Sequence, residues 1–244
     1  MLEKDLFPLT ARLATSRLRA SGLVLAVAPA LPAFLVGLGL RESPAAAMKA
    51  FLLFFPYVFL LMSQDMSATE AHGGGLENLL FVDGRFRSYL WQKNFVLTAA
   101  GAAYAGAIFL GLAAWGLVRG TFAAAAVPQF GLGLLAGAYY VGVAGALGLV
   151  LRAGSNVVVL LLGQAAALIG LILSTAARSG FIDHLVSGRF PDLGSKLLFA
   201  GLAAVFPNLA VAPRLHRGGA VALAGLLLSL LLQRVRLRRL ELKN

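Results

Sequence analysis

Long apolar runs separated by short polar clusters organise this chain. A helix rises about 1.5 Å per residue, so about 20 apolar residues cross the hydrocarbon core of a bilayer. Six runs meet that length: 22–40, 46–66, 95–118, 127–151, 155–177 and 218–233. A seventh stretch, 197–211, is apolar but short, and Pro207 and Asn208 interrupt it. The pattern therefore predicts an all-α polytopic membrane bundle of six transmembrane helices. Ahead of the first run, Leu2, Leu6, Leu9 and Leu13 recur at helical spacing among Lys4, Arg12 and Arg19, with Pro8 interrupting or opening the turn. That leader predicts an N-terminal amphipathic interfacial helix over 1–21 that remains in place, being unlike a short cleavable signal.

Composition agrees with this class. Hydrophobic residues make up 59% of the 244 and charged ones 13%, with a mean hydropathy of +0.85. A soluble fold of that richness would lack the polar surface to cover itself. The net charge of +11 would suggest nucleic acid in a soluble protein. Here the cations flank apolar runs, so they read as orientation signals at an anionic bilayer, and no nucleic-acid partner is expected.

The seventh stretch decides the topology. Counting it as a crossing would put the two chain ends on opposite faces, yet both ends are basic: Lys4, Arg12, Arg17 and Arg19 at one, Arg234, Arg236, Arg238, Arg239 and Lys243 at the other. With six spans, 13 cations gather on the inner side and 8 on the outer, and most of the latter lie in the long segment 178–217, where charge influences translocation least. The expectation is a bacterial-type plasma (inner) membrane protein with both termini cytoplasmic. Residues 22–233 form the six-span transmembrane domain, 178–217 an outer loop carrying a re-entrant element before the last span, and 234–244 a basic cytoplasmic tail.

The chain carries none of the familiar catalytic patterns. No Gly-Lys pair exists to make a phosphate-cradling loop, and the three histidines, His72, His184 and His216, fall on separate predicted loops with no HExxH pair. No close acidic pair lies mid-span, and Asp65 stands near an inner end. The expectation is a chain that is not itself an enzyme and holds no metal and no cofactor. Outer residues Asp183, His184, Arg189 and Asp192 read first as a solvated loop. Glycine and alanine crowd the third and fourth spans, notably Gly133, Gly137, Gly142 and Gly145, which allows close helix packing within one bundle or between two copies.

The distinctive segment is the cytoplasmic loop 67–93. Gly73, Gly74 and Gly75 break the second helix, each at a cost of about 1 kcal/mol in a helix interior. Leu76, Leu79 and Leu80 then stand at i, i+3 and i+4 on one face of a short helix, with Glu77 in its first turn, and Asp83-Gly84 supplies the stop. Arg85, Arg87, Trp91 and Lys93 make a basic and aromatic belt leading back to the bilayer.

At these residues the chain resembles the membrane-spanning permease subunits of ABC-2 type exporters. Glu70, Gly75, Leu76, Glu77, Leu79, Leu80 and Lys93 match the family's glycine-rich turn, Leu-Glu-x-Leu-Leu helix and span-opening lysine, while Asp83 replaces the usual proline and Arg85-Phe86 replaces Ser-Arg. The motif covers about a tenth of the chain. The amphipathic leader, the six spans and the re-entrant stretch also look like that family.

The resemblance implies that 22–233 is a permease domain and that the permease pairs with a second copy or a paralogue. It would dock a cytoplasmic ABC ATPase, which carries ATP and Mg, through a coupling helix at 76–82. Glu77 would supply the polar contact, Leu79 and Leu80 the apolar anchorage, and Glu70 the bend. The substrate path stays unassigned, and so does the choice between a homodimer and a heterodimer. Two other functions fit the same pattern: a secondary transporter or channel working without ATP, and a membrane scaffold or mechanotransmission subunit.

Overall fold

A computed structural model describes residues 6–64, 86–151, 154–177 and 180–241. The described residues form ten α-helices and one 3-10 turn, with no strand among them. Helix α1 covers Phe7–Ala20, α2 Gly22–Arg41, α3 Pro44–Phe54 and α4 Pro56–Met62. After the undescribed segment come α5 (Phe86–Val118), α6 (Ala126–Gly148), α7 (Ser155–Ala176), α8 (Phe181–Ser187), α9 (Leu193–Val205), the 3-10 turn (Pro207–Ala210) and α10 (Gly218–Glu241). Among the described residues, five helices, α2, α5, α6, α7 and α10, are long and apolar enough to cross a membrane, and a sixth span results if the bent pair α3–α4 is one crossing. The chain is thus helical and built for multiple membrane passes.

Local chemistry explains the boundaries. Ser21 and Ser43 cap α2 and α3 by accepting from the N–H groups of Val24 and Ala46, and Pro44 occupies the first turn of α3, where no donor is needed. Pro56 withdraws the N–H that would continue α3, and the span bends by 41° there. Pro8 lies in the first turn of α1, so it begins that helix.

The start of α1 and the end of α10 lie at one end of the bundle. Leu6, Tyr89, Leu90, Leu149 and Leu237 form one buried cluster, joining α1, the start of α5, the end of α6 and the end of α10. Gln64, after α4, reaches Ser21 through its amide nitrogen and accepts from the N–H of Gly154 through its carbonyl, so the α1–α2 junction and the start of α7 are at this end too. The opposite end gathers the start of α3, the last turns of α5, the start of α6 and the segment around Pro213.

The core is an aromatic seam. Phe51, Phe55 and Phe59 on the bent span are fully buried, and Phe55 meets Phe130 with ring centroids 5.3 Å apart while Phe130 stacks on Phe109 at 4.4 Å. The rings of Phe55 and Phe59 press against α6 at Gly133 and Gly137; a methyl group added at Gly137 would sit 2.6 Å from the Phe59 ring. Helices α6 and α10 run parallel, as the successive pairs Leu132 with Gly219, Tyr139 with Gly225, Gly142 with Ser229 and Gly145 with Gln233 require.

Three elements are longer or differently faced than the sequence pattern predicts. Helix α5 begins at Phe86, nine residues before the expected start, because Tyr89 and Leu90 bury against Leu6 of α1 and Gln92 accepts from the Thr10 hydroxyl at 3.1 Å. Helix α10 runs on through the expected basic tail, since Leu237 packs into the same cluster. The buried face of α1 is Leu6, Thr10 and Ala14, whereas Leu9, expected on the apolar stripe, is 41% exposed. Helix α1 lies against α5 rather than being set apart from the bundle, and this contact fixes its rotation.

Candidate functional site

The short element before the last span reaches about halfway into the bundle and turns back. Asp192 starts α9 by accepting from the Ser195 N–H at 3.0 Å. The groove between α7 and α9 runs from Ser174 and Asp192 at its mouth to Ala167 and Leu202 deeper in, so the two helices are antiparallel. At the deep end Gln164, near the middle of α7, reaches the Val205 carbonyl. The chain then makes the 3-10 turn and returns to Pro213 at the opposite end, where α10 sets out.

Turning a backbone inside an apolar bundle leaves carbonyls without partners. Helix α9 ends at Val205, and Pro207 removes the next donor, so the last carbonyls must be satisfied from outside the helix. Side chains of two other helices, α6 and α7, do this, and a third, α4, supports them. The Tyr139 hydroxyl donates to the Ala204 carbonyl at 2.7 Å. Gln164 Nε2 donates to the Val205 carbonyl at 3.0 Å and to the Tyr140 hydroxyl at 2.8 Å. The Tyr140 hydroxyl in turn donates to Asn208 Oδ1 at 2.8 Å. Asn208 Nδ2 reaches the Leu53 carbonyl, just before the Pro56 bend, and the Tyr57 hydroxyl donates to Gln164 Oε1 at 3.2 Å.

One buried network thus joins the two interruptions of the helical fold, the 41° bend in α3–α4 and the tip of the α9 hairpin. Tyr140 has no exposed surface, and Asn208 and Gln164 are 4% and 5% exposed. A displacement of either break has to be transmitted to the other or cost the network its bonds. Replacing Asn208 with Leu should lower stability by about 2 kcal/mol, because the Leu53 carbonyl and the Tyr140 hydroxyl lose their partner while the volume is kept. A thermal or denaturant unfolding series in a fixed detergent reads this; an unchanged midpoint would mean the network carries no load.

Two further polar stations tie the end that carries the start of α1 and the end of α10. Asn156 Nδ2 donates to the carbonyls of Ser63 and Ala144, each at 3.2 Å, linking the ends of α4 and α6 to the start of α7. Asn94 Nδ2 donates to Gln233 Oε1 at 2.9 Å, and Gln233 Nε2 to the Gly142 carbonyl at 2.7 Å, joining α5, α10 and α6.

The residues predicted to couple to a partner, Glu70, Gly75, Leu76, Glu77, Leu79 and Leu80, lie outside the described residues. Their flanks do not. Gln64 and Arg87 both stand at the end where Leu6 and Leu237 meet. Lys93, expected to open the third span, sits seven residues inside α5 and is buried and engaged. Among the described outer-loop candidates, His184 lies on helix α8 rather than in a loop, Asp183 and Arg189 are exposed, and Asp192 serves as a helix cap. Among the described residues no group of three or more histidine and acidic side chains gathers as a metal site.

The Ser195 side chain, followed by its backbone N–H, holds the Asp192 carboxyl below its ordinary pKa of 3.8. A folded-state pKa below the unfolded one means that the cap's contribution is present above the ordinary carboxylate pKa and is lost as the pH falls through the lowered value. Loosening of α9, followed by amide exchange at Ser195 and Lys196, is therefore expected only in strong acid, and Asp192→Ala should show the same faster exchange at neutral pH.

Gln164, Tyr57 and Tyr140 do not stand out in the sequence analysis, although an amide in the middle of the apolar run 155–177 is the signal that could have found the first. Comparison with family models, with curated proteins and with solved structures gave no match.

Proposed function

We propose that this chain is the membrane-spanning subunit of an ATP-driven exporter of the ABC-2 type, crossing the bilayer six times with α3–α4 as one broken span. A separate cytoplasmic ATPase would drive it, and two such membrane subunits would pair. The observation that carries this reading is the place of segment 65–85. Its described flanks, Gln64 after the bent span and the start of α5, stand at the end that also holds α1 and the Arg234, Arg236 and Arg238 turns of α10. Both termini being basic, this end takes the cytoplasmic side.

The mechanical logic follows from lengths. Helix α5 has 33 residues and is about 50 Å long, well beyond the about 30 Å of hydrocarbon, so its first turns stand proud of the core and grip α1. A push on the 76–82 helix would act at once on this extended helix and on the bent span. The bent span passes the movement through Leu53 and Asn208 to the α9 hairpin near the other face. Alternation would then be a coupled shift of the two breaks, with no bond chemistry in this chain. Glu77 supplies the polar contact to the ATPase, Leu79 and Leu80 its apolar anchor, and Glu70 holds the bend.

A pull-down of the full chain from native membranes, followed by identification of its partners, tests the class. The expected result is a nucleotide-hydrolysing chain recovered in near-equal amount. Recovery of the assembly with no such component contradicts the reading and leaves a channel, a secondary carrier or a scaffold.

A further inference from the structure

The geometry points to a binding site for a single-chain anionic amphiphile, a carboxylate or phosphate on an alkyl tail, at the end of the bundle opposite the start of α1 and the end of α10, with Lys49 as the residue that holds the charged group. The inference stands apart from the proposed transport function, because it concerns occupancy and needs no ATPase.

A cavity of about 450 Å³ opens there between α3, the end of α5, the start of α6 and the return arm of the hairpin. That volume falls within the range of about 300–1,000 Å³ typical of small-ligand sites. Its walls are apolar, with Met48, Leu52, Leu112, Phe122 and Val211 among them. Polar groups are few, chiefly Gln129, Thr121 and one charged side chain, Lys49. No carboxylate lines it, and Lys49 has no ion-pair partner among the described residues.

Lys49 is exposed and is the charged side chain that lines this cavity. It sits five positions into α3, about 8 Å along the axis from Pro44, within a helix otherwise free of charge. A lysine on a membrane helix is tolerated where its ammonium reaches open space, and the exposed Lys49 side chain lines this cavity. The starts of α3 and α6 stand at the rim through Pro44, Ala45, Ala125 and Ala126, and their helix dipoles add positive potential to that of the ammonium. An apolar chamber with a single positive rim selects an apolar tail with a negative head. A cationic amphiphile is repelled, and a neutral one gains only the tail.

Two walls of this chamber belong to the coupled breaks. Leu52 and Leu53 precede the Pro56 bend, and Val211, Ala212 and Pro213 follow the hairpin tip. Ligand in the chamber would therefore bear on the Leu53 to Asn208 contact from the side.

The test uses the full chain in nanodiscs of zwitterionic lipid. Because the chain has no cysteine, Ala123→Cys, at the cavity wall, takes a single environment-sensitive fluorophore. The probes are a 16-carbon carboxylate, the matched 16-carbon alcohol and the matched trimethylammonium. The expected result is saturable binding of the carboxylate, about tenfold or more tighter than the alcohol, with Lys49→Gln erasing the difference and Lys49→Arg keeping it. Ala125→Trp, which fills the mouth from an exposed position, should weaken carboxylate and alcohol alike. Equal affinity for the carboxylate and the alcohol in the parent chain overturns the proposal, as does a Lys49→Gln variant that folds and still discriminates. Displacement by an equal amount of two-chain anionic phospholipid overturns the single-chain assignment and makes the cavity a bilayer lipid site.

Discussion

If the chain works with an ATPase as proposed, Glu77→Lys is expected to abolish stimulation of that ATPase while leaving the chain inserted and folded. The substitution reverses the charge in the first turn of the predicted 76–82 helix, where the helix dipole already favours an anion, and so opposes both the helix start and any cationic contact on the partner. Truncating one member of a buried charged pair at an interface costs about 2–5 kcal/mol, and reversal adds like-charge repulsion, so docking should weaken by more than tenfold. Hydrolysis measured in reconstituted vesicles, with and without the membrane subunit, reads the effect. Glu77→Gln should retain part of the stimulation, because shape and one acceptor survive. Full coupling in the Lys variant would remove this helix from the mechanism.

Gly137→Leu is expected to be the most damaging substitution within the bundle. Phe59 is fully buried and its ring lies over Gly137 on one side and Gly101 on the other, so even one added carbon at either position collides with it. Overpacking of this kind costs about 3 kcal/mol when the surroundings cannot yield, and Phe59 cannot swing away because Phe55 stands 6.4 Å from it in the same seam. Loss of monodisperse protein in detergent, or a large fall in the unfolding midpoint, is the outcome to look for. Gly106→Leu supplies the control, since a side chain added there meets nothing within 4 Å. If both variants behave alike, the notches in α5 and α6 are not what seats the bent span.

Much of the fold can be read from the sequence, because the length rule is a strong physical constraint. The bounds of α2 and α7 agree with the apolar runs to within a residue, and Pro207-Asn208 marks the hairpin tip as a break. Hydropathy misses what tertiary contact decides. Arg87, Ser88, Gln92, Lys93 and Asn94 look like a loop by composition, yet they continue α5 because the same turns carry Tyr89 and Leu90 into a cluster with Leu6. Arg234, Arg236 and Arg238 likewise continue α10 around Leu237.

The network at the two breaks is less legible. Single polar residues in long apolar runs reveal that something must pair with them, but not what. Gln164, Tyr140 and Asn208 are brought together by the depth to which α9 descends, and no local spacing encodes that depth. Glycine at 133 and 137 is visible as a signal of close approach, whereas the phenylalanines that occupy the notches come from 70 or more residues earlier in the chain.

The central claim is that segment 65–85 faces the compartment that supplies nucleotide, while the α8–α9 hairpin lies toward the other face. The absence of cysteine lets two single replacements, Gly75→Cys and His184→Cys, be compared directly. In intact cells a membrane-impermeant maleimide should label the position at 184 and should reach the position at 75 only after the membrane is opened. Labelling at 75 from outside, with 184 protected, would contradict the account and turn the whole bundle over in the membrane.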